Sequence, residues 1–101
     1  MSEEKWHEKN LAWQMGNIGS EILRAKNRED KGDFTGRQNA LERVLELLDF
    51  TLSDQKNRRR LKEAARLREV VACLYANCLD YNISLSDIQK YLLPFGILAR
   101  K

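Results

Sequence analysis

The amino-acid sequence predicts an all-α fold: a small up-down antiparallel bundle of three long helices and a short C-terminal fourth. Apolar residues recur at helical spacing in four segments. Breakers are scarce, with one proline and five glycines in 101 residues. The segments are separated by short polar stretches that read as turns. A chain of this length is expected to form one domain, residues 1–101, and can bury a core without disulfides or metals.

The first helix is expected to start near Glu3 behind a Ser2 cap and to run to about Arg28. Leu11, Met15, Ile18, Ile22 and Ala25 step by four and three, which marks one helical face. Gly16 and Gly19 lie beside that stripe. A mid-helix glycine costs about 1 kcal/mol relative to alanine, so the pair predicts a notch where another helix comes close. Residues 27–33 are polar, end in Gly32-Asp33 and read as a loop.

The second helix is expected over about Phe34 to Leu52, with Phe34, Leu41, Val44, Leu45, Leu48 and Leu52 on one face. Residues 53–57 form a short polar turn into a third helix over about Arg58 to Tyr81, which makes the two helices an antiparallel hairpin. A fourth helix follows Ser84 or Ser86 and carries Ile88, Tyr91, Leu92 and Leu93 on its apolar side. Pro94 is expected to end or kink it.

The composition excludes several function classes. There are 18 Lys and Arg against 15 Asp and Glu, a net charge of +3, too mild to imply nucleic acid by itself. No apolar run approaches the length of a membrane span, and residues 1–10 lack the apolar core of a signal peptide. Cys73 and Cys78, five residues apart on one helix, point roughly 140° away from each other. They are expected to be unbridged, buried thiols in a reducing, cytoplasmic setting. No cofactor motif occurs. The only histidine is His7, too few for the two Glu-x-x-His pairs that a helical metal site uses. No nucleophile, base and orienting group form a recognisable set, so an enzyme is not expected.

Three constellations remain. Trp6 and Trp13, seven residues apart, share a side of the first helix away from its leucine–isoleucine stripe. Phe50 falls opposite the main apolar face of the second helix, and Phe95 lies in an apolar tail. Large aromatics outside the core are typical of interfaces, so Trp6, Trp13, Phe50 and Phe95 form a candidate surface for self-association or a protein partner. Arg58, Arg59, Arg60, Lys62 and Arg66 form the densest basic region, a candidate phosphate-backbone patch. The competing expectation is internal pairing, with Asp49 opposite Lys62 and Glu46 opposite Arg66 across the hairpin. Arg68 falls inside the apolar arc of the third helix and is a candidate buried cation. The leading functional expectation is a non-enzymatic interaction module, a homo-oligomer or small accessory subunit. The alternative is a nucleic-acid-binding module using the basic start of the third helix.

Overall fold

A computed structural model describes residues 2–77 and 83–99; the side chains of Arg59, Arg60 and residues 93–99 lie outside that description. The chain folds as an all-α bundle with no strand among the described residues: α1 (Glu3–His7), α2 (Leu11–Asp30), α3 (Phe34–Leu52), a 3-10 turn (Gln55–Arg60), α4 (Leu61–Ala76) and α5 (Leu85–Ala99). No helix among the described residues is long and apolar enough to cross a membrane.

The expected first helix is broken in two. Ser2 caps α1, its side chain accepting from the Lys5 N–H at 3.3 Å. The helix stops at His7, and Asn10 then starts α2 as a second cap, accepting from the Trp13 N–H at 2.8 Å. Gln14, fully buried, braces the break: its amide donates to the carbonyls of Trp6 at 2.9 Å and Lys9 at 3.2 Å. The same amide donates to Asp54 Oδ2 at 3.0 Å, and its oxygen accepts from Asn57 Nδ2 at 2.8 Å. One glutamine therefore ties the α1–α2 junction to the turn between α3 and α4.

The bend folds α1 onto the end of α3. Trp6 is only 1% exposed, and its indole N–H donates to Thr51 Oγ1 at 2.9 Å. Its ring meets Trp13 edge-on, with centroids 5.3 Å apart. Met15, Ile18, Ile22 and Ala25 of α2 join Leu41, Val44 and Leu48 of α3 in the core, as their periodicity predicts. Phe34 departs from that pattern. It is the first residue of α3, is exposed, and lies beside the Arg37 guanidinium.

The α3–α4 hairpin is antiparallel, but its register differs from expectation. Asp49 pairs with Arg68 at 2.6 Å rather than with Lys62, a displacement of six residues (68 − 62). Glu42 accepts from the Tyr75 hydroxyl at 2.5 Å in the same register. Glu46 pairs with Arg43 of its own helix at 2.5 Å, not with Arg66. The physical reason is the 3-10 turn. Capped by Asp54, it takes up residues that a direct turn would have given to α4, and α4 begins only at Leu61.

The register also settles which cation is buried. Arg68 lies at the flank of α4, half-buried and engaged by both oxygens of Asp49. Arg37 is the buried one. Its guanidinium donates to Glu29 at 2.7 Å, to Gln38 Oε1 at 2.7 Å and to the Leu74 carbonyl at 3.2 Å. Gln38 adds a bond to the Tyr75 carbonyl at 2.9 Å, so two α3 side chains cap the last turn of α4.

That last turn ends at Ala76, five residues earlier than expected, with Asn77 in the left-handed region at φ 57°. Asparagine tolerates this conformation and commonly closes helices this way. Cys73 is disulfide-bonded, which corrects the expectation of two unbridged thiols; Cys78 lies outside the described residues. The cysteine argument for a reducing compartment falls with it. At the other end, α5 continues through Pro94 to Ala99 instead of ending there.

α5 crosses α2 at Gly19. A Cβ built on Gly19 would stand 3.2 Å from the Leu92 Cβ, so the absent side chain is what lets the two helices approach. With α4 resting on α3 and α5 on α2, the bundle has two inner and two outer helices.

Candidate interaction surface

The outer helices α4 and α5 leave a groove between them, about 380 Å³ in volume. Its floor is Leu67 and Val70 of α4 and Ile88 of α5, all largely buried. Its walls carry Ile83, 37% exposed, and Tyr91, 48% exposed. Three charged residues complete the lining: Glu63 and Arg66 on the α4 side and Asp87 on the α5 side.

The local sequence fixes these positions. Ser84 and Asp87 form a reciprocal cap at the start of α5: Asp87 Oδ2 accepts from the Ser84 N–H at 3.0 Å, and Ser84 Oγ accepts from the Asp87 N–H at 3.2 Å. Those bonds hold the Asp87 carboxyl below the usual carboxylate range, so it is ionised at neutral pH. Asp87 and Tyr91 are one turn apart on the same face of α5, which sets the acid and the aromatic along one side of the groove. On α4, Glu63, Leu67 and Val70 follow the same logic, with Arg66 beside them.

The arrangement can bind but has no evident reactive pair. His7 Nε2 is held by the Phe50 carbonyl at 2.8 Å and Ser53 Oγ at 3.2 Å, far in sequence from the groove and serving the α1–α3 contact. Among the described residues, no three His, Cys, Asp or Glu side chains converge as a metal cluster would. A second, polar cleft of about 510 Å³ lies between α2 and α3 and carries Arg24, Arg28 and Arg43. Each of these arginines is already engaged by a carboxylate, Glu21, Asp33 and Glu46 respectively.

The residues singled out from sequence are dispersed. Trp6 is buried, so it cannot belong to an exposed aromatic patch. An unbroken first helix would turn it outward; the Asn10 cap folds it inward instead. Trp13 and Phe50 are partly buried and pack against the core cluster. The Phe95 side chain lies outside the described residues. Arg58, Lys62 and Arg66 are exposed, and the acids expected opposite Lys62 and Arg66, Asp49 and Glu46, are taken by Arg68 and Arg43. Arg59 and Arg60 lie outside the described side chains.

The groove itself was missed because Leu67, Ile88 and Tyr91 read as ordinary core positions. One signal was present. Residues 83, 87 and 91 fall on one helical line and alternate apolar, acidic, aromatic, which marks a boundary face rather than a core stripe. No protein-family model, curated protein or solved structure is significantly similar to this chain.

Proposed function

We propose that this chain is a non-enzymatic helical interaction module that receives the apolar face of a partner helix in the α4–α5 groove. The observation that carries this reading is the groove's construction: an apolar floor, a half-exposed aromatic and a charged edge. Grooves of this kind recognise amphipathic helices through a few apolar anchors, with charges fixing register. With Cys73 bridged, the cysteines no longer argue for a cytoplasmic location.

Solvent mapping tests the reading. Isotope-labelled protein is titrated with 2-propanol, and the shifts of the Leu67, Val70, Ile83 and Ile88 methyls and the Tyr91 ring are followed. Clustered, saturable shifts at these groups support an open recognition groove. A chain that sediments as a monomer and shows only scattered shifts overturns it.

A second reading has its own observation. Arg58, Lys62 and Arg66 form an exposed cationic line no longer neutralised by α3. A nucleic-acid contact through three such charges would follow the logarithm of salt concentration with a slope of about −2.7. Fluorescence anisotropy of a labelled oligonucleotide across a salt series separates this reading from an apolar one, which is nearly insensitive to salt.

A further inference from the structure

We propose that the Cys73 disulfide is a redox-controlled stop for α4: the bridge ends the helix at Ala76, and its reduction lets the helix run on past Asn77. Cys73 is bonded, and the chain holds only one other cysteine, Cys78, so the bridge joins residues five apart. Cys78 itself lies outside the described residues.

The exclusion is geometric. Residues five apart on an α-helix are separated by a rise of about 7.5 Å and a turn of about 140°, which sets their Cα atoms about 8.7 Å apart. A disulfide spans roughly 4.4–6.8 Å between Cα atoms. An unbroken helix over residues 73–78 and a bridge between its ends therefore cannot coexist. The end of α4 shows the bridged outcome. Its last helical residue is Ala76, and Asn77 turns into the left-handed region at φ 57°. The Asn77 N–H donates only three residues back, to the Leu74 carbonyl at 3.3 Å.

The sequence favours a longer helix once the bridge is gone. Leu67, Val71, Leu74 and Cys78 step by four, three and four, and Val71, Tyr75 and Leu79 step by four. The apolar face of α4 thus continues in the sequence beyond the point where the helix ends. A left-handed backbone is unfavourable for residues other than glycine, although asparagine tolerates it better than most. In a longer helix the Leu74 and Tyr75 carbonyls would accept from the N–H groups four residues on. Side chains of α3 stand in for those donors: Arg37 and Gln38 reach the two carbonyls at 3.2 Å and 2.9 Å. Cys73 is 7% exposed, and as a thiol it remains a small apolar side chain in the same packing.

A dithiol reductant drives the change. It supplies two electrons and two protons: the S–S bond breaks, Cys73 and Cys78 each end as a thiol, and the reductant closes its own disulfide.

The test follows backbone NMR of the isotope-labelled full chain in three forms: oxidised, reduced with dithiothreitol, and Cys73→Ala/Cys78→Ala, which needs no reductant. Residue 77 should report a left-handed conformation in the oxidised form and a right-handed helix in the other two. The amides of residues 78 and 79 should then exchange with solvent about tenfold or more slowly than in the oxidised form. Two further variants read the coupling from the other side. Alanine disfavours the left-handed turn and favours the helix, and glycine does the reverse. The equilibrium with dithiothreitol should lie about tenfold or more further toward the thiols in Asn77→Ala than in Asn77→Gly.

A reduced chain whose residue 77 stays left-handed overturns the proposal, as does equal reducibility of the two Asn77 variants. So does a reduced chain that loses the whole bundle, because the switch requires the fold to stand in both states. Free thiols in the oxidised, unfolded chain remove the bridge and the switch with it.

Discussion

Gly19 is where the bundle is least able to accept a side chain. Replacing it with leucine sets two effects against each other. Alanine or leucine in place of glycine favours the helix by up to about 1 kcal/mol. Against this, the added Cβ stands 3.2 Å from the Leu92 Cβ, short of the ~3.5–4.0 Å at which carbons normally rest. The opposing atom is attached directly to the α5 backbone, so relief requires α5 to move rather than a side chain to rotate. Alanine at this position should come out near neutral, its propensity gain offset by a small displacement. Leucine adds three more carbons at a contact where Leu92 is already fully buried. Overpacking of that kind costs roughly 1–3 kcal/mol, which exceeds the propensity gain. Gly19→Leu should therefore lower the urea midpoint and reduce the melting temperature by about 4–8 °C for each kcal/mol lost. The parent, Gly19→Ala and Gly19→Leu are compared by circular dichroism at one protein concentration. A Gly19→Leu protein as stable as the parent would show that α5 does not rest on α2 there.

Three other outcomes follow from the described contacts. Trp6→Ala should cost about 3–5 kcal/mol in urea unfolding, the range for a buried aromatic, whereas an exposed interface residue would cost well under 1. For Asp54, desolvation raises its pKa, but the bonds from Lys56 and Gln14 outweigh this and hold it below the usual carboxylate value. The stability it contributes is then fully present above its unfolded value and is lost as pH falls through its lowered folded value. Urea midpoints measured from neutral to acid pH should fall more steeply for the parent than for Asp54→Asn; parallel curves would contradict this. Finally, unfolded but unreduced protein should show no thiol reactive toward an alkylating reagent, while two free thiols would contradict the bridge at Cys73.

The parts of the fold legible in the sequence are those that a single helix decides for itself. The face of α2 follows from the spacing of Met15, Ile18, Ile22 and Ala25. The bounds of α3 follow from an Asp33 cap and an uninterrupted periodic run to Leu52. The notch at Gly19 was legible because glycine in mid-helix needs a reason. What escaped depends on partners distant in sequence. Asn10 outcompetes helix continuation only because Gln14, Asp54 and Asn57 converge on the break. Arg37 is buried only because α4 presents its terminal carbonyls to it. Arg68 looked buried on a helical wheel, yet the 3-10 turn carries it to the flank where Asp49 waits. The candidate site was the least legible element. An open groove is a property of two helices that fail to close on each other, and no single segment encodes that failure.

The five-residue α1 has a kinetic consequence. A helix this short cannot hold itself in water, because nucleation costs more than one turn of hydrogen bonds returns. Its shape depends on the Trp6–Thr51 bond and on the Gln14 amide, both supplied by elements that must already be in place. α1 should thus be among the last segments to dock as the chain folds and among the first to leave. Trp6→Phe, which removes the indole N–H, should then accelerate unfolding in stopped-flow experiments while leaving the refolding rate almost unchanged. Slowed refolding with an unaltered unfolding limb would instead place α1 in the folding nucleus. With late docking, brief openings of this N-terminal clasp expose the end of α3 while α2, α3 and their shared core remain assembled, and a protease would cut there well before the bundle itself unfolds.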